Sequence, residues 1–525
     1  MVSKSKIRGA LYGSVSGVAL LMMAAPMAFA ADDGSTQQQI DPQVMQQLQA
    51  RIAAIKSRLQ NLKSNEDQTT YRQNGDTSAS VILDPAPVPN AVASHEEALE
   101  GDRGKRPTAP ADAVVGGDFP QSWKLPGSDT SVSIRGYVKA DFLYDFQQNV
   151  GDSFQSSLIR PTGSAANHFA EFRFGARESR LTFETRTPTS YGDLKTYIET
   201  DFYGGGSGPG AIYGASPQVT NSYIMRLRHA YAQLGPILVG QTWTTFQNDI
   251  GSADTLDFDG PTGVAFDRQA MIRYTQAFGK WQIALAAENA QPFFTANPGT
   301  ATTFPGIVSG NYGGGASVTH VPDFIGRLEY SDDWGALQGS VLTHNEAFNT
   351  GIPGAVGGTQ KDNTQQFGGL LAAWLQNFWG NDTFGIESSF GAVGRYLDTP
   401  SQDAVVYLAT PTLAKLATQN MWGGALYYTH FWRDDLRSTL AYGHTHFYIN
   451  HMIGTPTEDS IQTVHANLIW SPVKNVDTGI EFMWGQTHYG NAAPGSTAFQ
   501  AVFPGASKDT GNDERLQVSF KAKFD

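Results

Sequence analysis

The sequence predicts an all-β fold: a transmembrane antiparallel β-barrel of about 16 strands, preceded by a short N-terminal α-helical coiled coil. Three observations predict it. From about Thr130 onward, apolar residues recur with a period of two. Short turns alternate with long polar loops. The composition is poor in charge, yet hydrophilic on average. Charged residues make up 16% of the chain, against a usual ~25%. Gly accounts for 56 of 525 residues, aromatics reach 11%, and mean hydropathy is −0.30. Beyond the N-terminus no window holds the ~20 consecutive apolar residues of a spanning helix. A helical membrane protein is therefore excluded, and an ordinary soluble enzyme fits poorly.

The period of two is clearest in the last strand. Leu516, Val518, Phe520, Ala522 and Phe524 alternate with Arg515, Gln517, Ser519, Lys521 and Lys523, giving one apolar and one polar face. Ile134, Gly136, Val138, Ala140, Phe142 and Tyr144 alternate with Arg135, Tyr137, Lys139 and Asp141 in the same way. Strands are expected to begin near 130, 171, 190, 222, 236, 267, 280, 322, 335, 366, 382, 420, 434, 460, 475 and 513. The second strand, from Glu171 to Thr187, changes phase around Arg177, the mark of a bulge or of a different strand boundary. Long loops are expected at 203–221, 289–321, 345–365, 397–419 and 489–512. Short turns at one end and long loops at the other belong to membrane barrels. Soluble sandwich strands run only ~5–6 residues, and no ~40-residue repeat suggests a propeller. Tyr144, Trp243, Trp281, Trp334, Trp422, Trp470, Trp484 and Tyr489 fall near strand ends, where two interfacial girdles are expected.

The N-terminal elements precede the barrel in order. Lys4, Lys6 and Arg8, an apolar stretch and Ala28-Phe29-Ala30 compose an export signal with its cleavage site before Ala31. Met45, Leu48, Ile52, Ile55, Leu59 and Leu62 recur at 3-4-3-4-3 spacing, the a and d positions of a coiled coil, with a lone amphipathic helix on a domain surface as the plainer alternative. Asp41-Pro42 offers its N-cap and first turn. About three heptads cannot hold together unaided, so the helix implies chains already assembled by something larger. Ile at both a and d positions favours three strands or more. The expected organisation is a signal peptide over 1–30, a periplasmic coiled coil over 31–64, a Pro-containing linker over 65–129 and the barrel over 130–525.

Alternation also sets which charges line the lumen. Arg135, Arg180, Arg226, Arg228, Arg273 and Arg327 oppose the apolar face of their strands, with Lys139, Arg437 and Arg515. A lumen enclosed by about 16 strands holds water, and rings of Arg favour anions. The alternative is that these arginines pair with inward Asp141, Glu184, Glu199, Asp201, Glu329 and Glu481 and merely solvate the wall. The third long connection, 247–267, stands apart. It carries Asp249, Asp254, Asp257, Asp259 and Asp267 beside Leu256, Phe258 and Gly260-Pro261. Such a loop is expected to fold into the lumen and set a constriction, its acids facing wall arginines. An exposed acidic loop is the plainer alternative.

Several stretches resemble a known family. They are Val115-Gly116-Gly117-Asp118-Phe119-Pro120-Gln121-Ser122-Trp123-Lys124-Leu125-Pro126-Gly127 leading into Ser133–Lys139, Ser179-Arg180-Leu181 to Thr187-Pro188, and Gly240-Gln241-Thr242-Trp243-Thr244-Thr245-Phe246. Leu256-Asp257-Phe258 to Gly260-Pro261, before Arg268 and Ile272-Arg273-Tyr274, completes the set. Together with the layout of signal, coiled coil, linker and barrel, they resemble the DcaP-type trimeric outer-membrane porins of Gram-negative bacteria. The resemblance implies a sixteen-stranded homotrimer with a periplasmic coiled coil. It further implies passive uptake of small anions, dicarboxylates among them, with Arg180, Arg268 and Arg273 flanking the constriction. One departure is that Asp525 follows Phe524, where such barrels usually end on an aromatic residue.

Function classes narrow accordingly. A net charge of −13 argues against nucleic acid as partner. Zero cysteine removes disulfides, thiolate metal sites and cysteine nucleophiles. No nucleotide motif suggests energy coupling. His444-Thr445-His446 lacks a third ligand at metal spacing and suits a strand end beside Tyr442 and Tyr448. No catalytic residue, cofactor or metal is expected. The expected partners are small anionic solutes, outer-membrane lipid and lipopolysaccharide, further copies of the chain, and a periplasmic partner for the coiled coil. A general non-selective porin, or a structural or adhesion barrel tethered through its coiled coil, are the alternatives.

Overall fold

The computed structural model describes residues 115–165, 169–204, 224–297, 300, 317–350, 359–377, 379–398 and 401–524. The chain divides into two units, 1–73 and 74–525, and the described residues all belong to the second. The expected signal peptide and coiled coil lie outside the described residues.

In chain order the strands begin with β1 (Trp123–Lys124), β2 (Ser131–Asp145), β3 (Glu171–Gly175), β4 (Arg180–Thr189), β5 (Gly192–Gly204), β6 (Ile224–Leu234) and β7 (Ile237–Trp243). They continue with β8 (Arg268–Phe278), β9 (Trp281–Glu288), β10 (Phe294–Ala296), β11 (Asp323–Asp332), β12 (Gly335–Asn349), β13 (Lys361–Leu375) and β14 (Thr383–Gly391). The last are β15 (Ala404–Thr410), β16 (Leu413–Thr418), β17 (Met421–Arg433), β18 (Leu436–Phe447), β19 (Thr457–Val473), β20 (Val476–Gly490) and β21 (Thr510–Phe524).

Each wall strand pairs antiparallel with its sequence neighbour in the wall, and β21 returns to β2 from Gly136↔Phe524 to Asp145↔Arg515. The result is a closed barrel of sixteen wall strands. β3 and β4 count as one of these, because both lie along β2. The break between them falls at 176–179, where the phase change at Arg177 predicts it. β1 pairs with Ser131 and Val132, so the chain is already docked on the first strand within the stretch expected as linker.

The exposure pattern inverts that of a soluble protein. Outward residues are large and apolar: Val341 is 66% exposed, Leu371 63% and Phe324 51%. Inward residues are polar and closed off, with Asp145, Glu481 and Arg515 at 0%. Lipid is the solvent that accepts this outer face, and closure leaves no unpaired backbone edge in it. The main apolar cluster lies inside the barrel. Phe246, Ile250, Ala253 and Ala265 from the 244–267 loop pack on wall residues Trp374, Tyr427 and Ile461.

The loops depart from expectation in two places. β10, β15 and β16 form a separate three-stranded sheet at the long-loop end, where 397–419 reads as irregular. Ala404, Val405 and Val406 are all buried, so this hairpin carries no alternation to read. A short helix, Thr497–Val502, stands within 489–512; the Ser496 hydroxyl accepts from Phe499 N–H at 3.2 Å and caps it. The girdle is also corrected. Tyr144, Trp281, Trp334, Trp422 and Trp470 are exposed, whereas Trp243 and Tyr489 are buried against Arg268 and Phe503 respectively.

Arg515 sits on the closing strand pair. Its Nε donates to Asp145 Oδ1 at 2.5 Å, and its Nη2 donates to Oδ2 at 3.1 Å and to Gly151 O at 2.5 Å. Breaking a buried pair costs about 3–5 kcal/mol. Arg173, 2.6 Å from the same carboxylate, offsets part of that. Arg515→Met is expected to lower unfolding stability by ~2–3 kcal/mol, read as a leftward shift of the urea midpoint for protein refolded in vesicles.

Candidate functional site

The site is the inner wall together with the loop between β7 and β8. The loop leaves β7 where Thr244 Oγ1 donates to Glu288 Oε2 and Thr245 N donates to Oε1, each at 2.7 Å. Asp267 O accepts from Thr244 N at 3.0 Å and closes the loop's base. From there the chain runs round the inside of the barrel. Asp249 pairs with Arg327 on β11 and takes Gln338 Oε1 of β12 on its backbone N–H. Asn248 Nδ2 donates to Glu387 on β14 at 2.7 Å, and Tyr427 OH of β17 donates to Gly251 O at 2.8 Å. Arg437 of β18 donates to Asp254 at 2.5 Å, and Asn467 of β19 to Asp254 O at 2.7 Å. The Leu256 N–H donates to Glu481 on β20. Its carbonyl accepts from Lys139 on β2 at 2.5 Å and Gln517 on β21 at 2.9 Å.

The return limb follows a glycine track. Gly263 adopts φ +87°, open to glycine at little cost. A Cβ there would lie 2.5 Å from His444 O and 2.7 Å from Gly424 N. A Cβ on Gly443 would lie 2.1 Å from Thr262 O. Wall and loop backbones therefore touch with no side chain between them. The small residues at 424 and 443 are what bring the loop against the wall.

The acids of the loop divide into two kinds. Asp249 and Asp254 face wall arginines, as above. Asp257 also binds backbone: its Oδ1 accepts from Phe154 N at 2.8 Å and its Oδ2 from Asp259 N and Gly260 N at 3.1 Å, so it organises the loop tip. Asp259 accepts from Ser153 Oγ at 2.6 Å. Burial and the neighbouring Asp257 carboxylate raise the Asp259 carboxyl above the ordinary aspartate value.

The loop's Phe258 meets an arginine cluster on β4 to β8. Its ring lies 5.4 Å from the guanidinium carbons of both Arg226 and Arg228 and stacks on Tyr203 at 4.7 Å. Arg228 donates to Glu199 at 2.6 Å and to Asp201 at 2.9 Å. Arg226 takes Asp201 through two bonds, at 3.0 and 2.6 Å, and Arg180 lies 3.4 Å from Glu199. Three guanidiniums thus share two carboxylates. A register shift opposite Glu199 and Thr200 turns Arg228 and His229 inward together, a bulge that alternation alone does not signal.

The remaining predicted arginines behave differently from one another. Arg135 pairs with Glu184, and Arg327 with Asp249. Arg268 and Arg273, both half-buried on β8, hold no carboxylate among the described residues. The Arg268 guanidinium lies 3.5 Å over the Trp243 ring, a close cation–π contact. Its Nε and Nη2, and Nε of Arg273, have no hydrogen-bond partner among the described residues. Five residues apart on one strand, the two are separated by roughly 17 Å along the wall. Sequence reasoning placed Glu481 and Gln517 on inward faces but marked neither of them, nor Glu387 or Asn467, as an anchor of the loop. Each lies on the polar face of its strand, and no local pattern marks which polar residue will meet a loop 100 or more positions away.

A closed sixteen-stranded barrel with a polar lumen and an inward-folded third loop defines a porin-type architecture. A family model described as the porin subfamily matches residues 123–510, and the chain belongs to that family of outer-membrane barrels. It is similar to porin Omp2b of Brucella suis, 27% identical over 274 residues, covering 49% of this chain and 65% of that protein. Omp2b of Brucella abortus (strain 2308) is 24% identical over 275 residues, covering 48% of this chain and 66% of the relative. The alignments thus span just under two thirds of these curated relatives. Among solved structures, the outer-membrane channel DcaP of Acinetobacter baumannii aligns with a TM-score of 0.57 at 18% identity, covering 78% of this chain and 100% of that one. That likeness concerns the fold.

The glycine track yields a test. Gly443→Val places a branched side chain where Thr262 O now sits, and is expected to lift the loop's return limb from the wall. Single-channel conductance in a planar bilayer should rise and become noisier, while Gly495→Val, at a position open to space, should leave it unchanged.

Proposed function

We propose that the chain forms a water-filled, anion-preferring channel of the outer membrane for passive entry of small carboxylates and dicarboxylates. The proposed assembly is a homotrimer, with the exported N-terminal coiled coil in the periplasm and open to a partner there. The observation that carries the anion preference is the division among wall arginines. Arg135, Arg180, Arg226, Arg228 and Arg327 face carboxylates, while Arg268 and Arg273 do not. Their planar forks match a carboxylate through two parallel N–H bonds. Spaced along β8, they offer a solute two successive cationic holds, Arg268 at the loop base beside the Arg226–Arg228 cluster and Arg273 near the Arg327–Asp249 pair. A solute held in two places needs neither to be tight, which suits passage rather than retention.

A general non-selective channel is the second reading. The pairing of five wall arginines with acids favours it, since each pair removes most of its own field.

The reversal potential of purified protein in a planar bilayer under a salt gradient decides between them. Anion selectivity is expected; cation selectivity would overturn the proposal. With Arg268→Gln and Arg273→Gln combined, block of the current by a small dicarboxylate should weaken about tenfold, the equivalent of ~1.4 kcal/mol. An unchanged block removes both residues from the site.

Acidity supplies a separate check. With its carboxyl raised, Asp259 takes up a proton on mild acidification, and the arginine cluster beside it gains one unit of positive charge. Anion selectivity should therefore increase from about pH 8 to about pH 5. Asp259→Asn should hold selectivity near its acidic value across that interval, measured from the same reversal potentials.

A further inference from the structure

A second cluster, away from the arginine wall, joins the three-stranded cap to the barrel. His344 and Glu346 occupy successive inward positions of β12, and Asp403 stands immediately before β15. All three are buried, at 2%, 1% and 0% exposure. One imidazole nitrogen and one oxygen from each carboxylate lie within 4.8 Å of one another.

The hydrogen bonding around them leaves a charge unanswered. His344 Nε2 lies 2.9 Å from Ala392 O, which can only accept, so Nε2 carries the proton. Nδ1 faces Glu346 Oε1, 3.7 Å away. Both oxygens of Glu346 accept from Phe293 N at 3.0 Å. Asp403 accepts from Gly394 N at 2.6 Å and Arg395 N at 3.3 Å. These are backbone donors and bring no positive charge. The guanidinium of Arg395, next to this cluster, donates to Asp323, to Tyr396 OH and to Gln269 instead. Two closed-off carboxylates therefore share a space with one imidazole whose Nδ1 faces them. Burying such charge unpaired is costly, and a cation at the centre removes the cost.

We propose that His344 Nδ1, Glu346 and Asp403 bind a divalent transition-metal ion, with Zn2+ the best match. One nitrogen and two oxygen donors suit an ion of that class better than Ca2+ or Mg2+, which take oxygen almost alone. The Ala392 carbonyl fixes the imidazole from behind, the usual outer support of a metal-bound histidine. Bonds of about 2.0–2.2 Å require the three donors to draw together slightly, within the reach of side-chain rotation. The ion's role is mechanical. It ties Asp403, whose backbone N–H donates to Phe293 O beside β10 and whose carbonyl accepts from Gln419 N at 2.8 Å, to wall strand β12. The cap sheet is thereby fastened over the long-loop end.

The test uses full-length protein refolded without lipopolysaccharide, stripped with chelator and titrated with Zn2+ by calorimetry. Co2+ serves as the spectroscopic probe of coordination. One ion per chain is expected, with a dissociation constant on the order of a micromolar or tighter. His344→Gln and Asp403→Asn should each weaken binding at least about tenfold. Both variants should keep the shift in gel mobility on heating that reports a closed barrel. If Asp403→Asn does not fold, His344→Gln alone decides. No saturable binding, or binding undiminished in a folded His344→Gln protein, overturns the proposal.

Discussion

Everything in this molecule follows from the need to pair every backbone N–H and C=O where the only solvent is hydrocarbon. A strand edge left open there would strand a row of polar groups at several kcal/mol each. The chain meets the requirement by returning β21 to β2 over the pairs Gly136↔Phe524 to Asp145↔Arg515. Closure then assigns the two faces of every strand. Outward positions must be apolar, and inward positions are free to be charged. The lumen is where ionisable groups can be placed at all, and it is there that any chemistry of passage has to be written.

Within the lumen the same low-dielectric economy is repeated at smaller scale. Most inward arginines and acids neutralise one another, as in the chain Arg180, Glu199, Arg228, Asp201 and Arg226. Such pairing solvates the wall and holds the 244–267 loop, through Asp249–Arg327 and Asp254–Arg437. What distinguishes Arg268 and Arg273 is that this internal accounting passes them by. Arg268 is steadied by the Trp243 face rather than by a counter-charge, so its position is fixed while its buried Nε and Nη2 have no hydrogen-bond partner among the described residues.

Much of the fold was legible in the sequence, because one face in lipid and one in water impose a strict period of two. The strand beginnings, the alternation of short turns and long loops, and the break near Arg177 could all be read from it. The inward side of Arg135, Arg180, Arg226, Arg228 and Arg327 followed from the same rule. Legibility ended where that rule lapses. Ala404, Val405 and Val406 are buried on both faces, so the β15–β16 hairpin carried no signature. The pairing of Arg228 with both Glu199 and Asp201 depends on a bulge and on register between strands. Asp257 looked like its acidic neighbours, yet it braces the loop tip, because one of the donors it meets comes from Phe154, more than 100 residues away in sequence. His344 and Asp403 were silent for the same reason.

The position of Leu256 has a consequence for assembly. Its carbonyl is held by Lys139 on β2 and Gln517 on β21, the two strands whose meeting seals the cylinder. Neither partner is in place relative to the other until the final strand has docked. The loop's outermost clasp is therefore a late event, formed across a joint that does not exist earlier. A half-built barrel would have a wide mouth and a loose third loop, and the passage would narrow only as the seam locks. Contacts so distant in sequence fold slowly, and here the slowness has an order: enclosure first, constriction last.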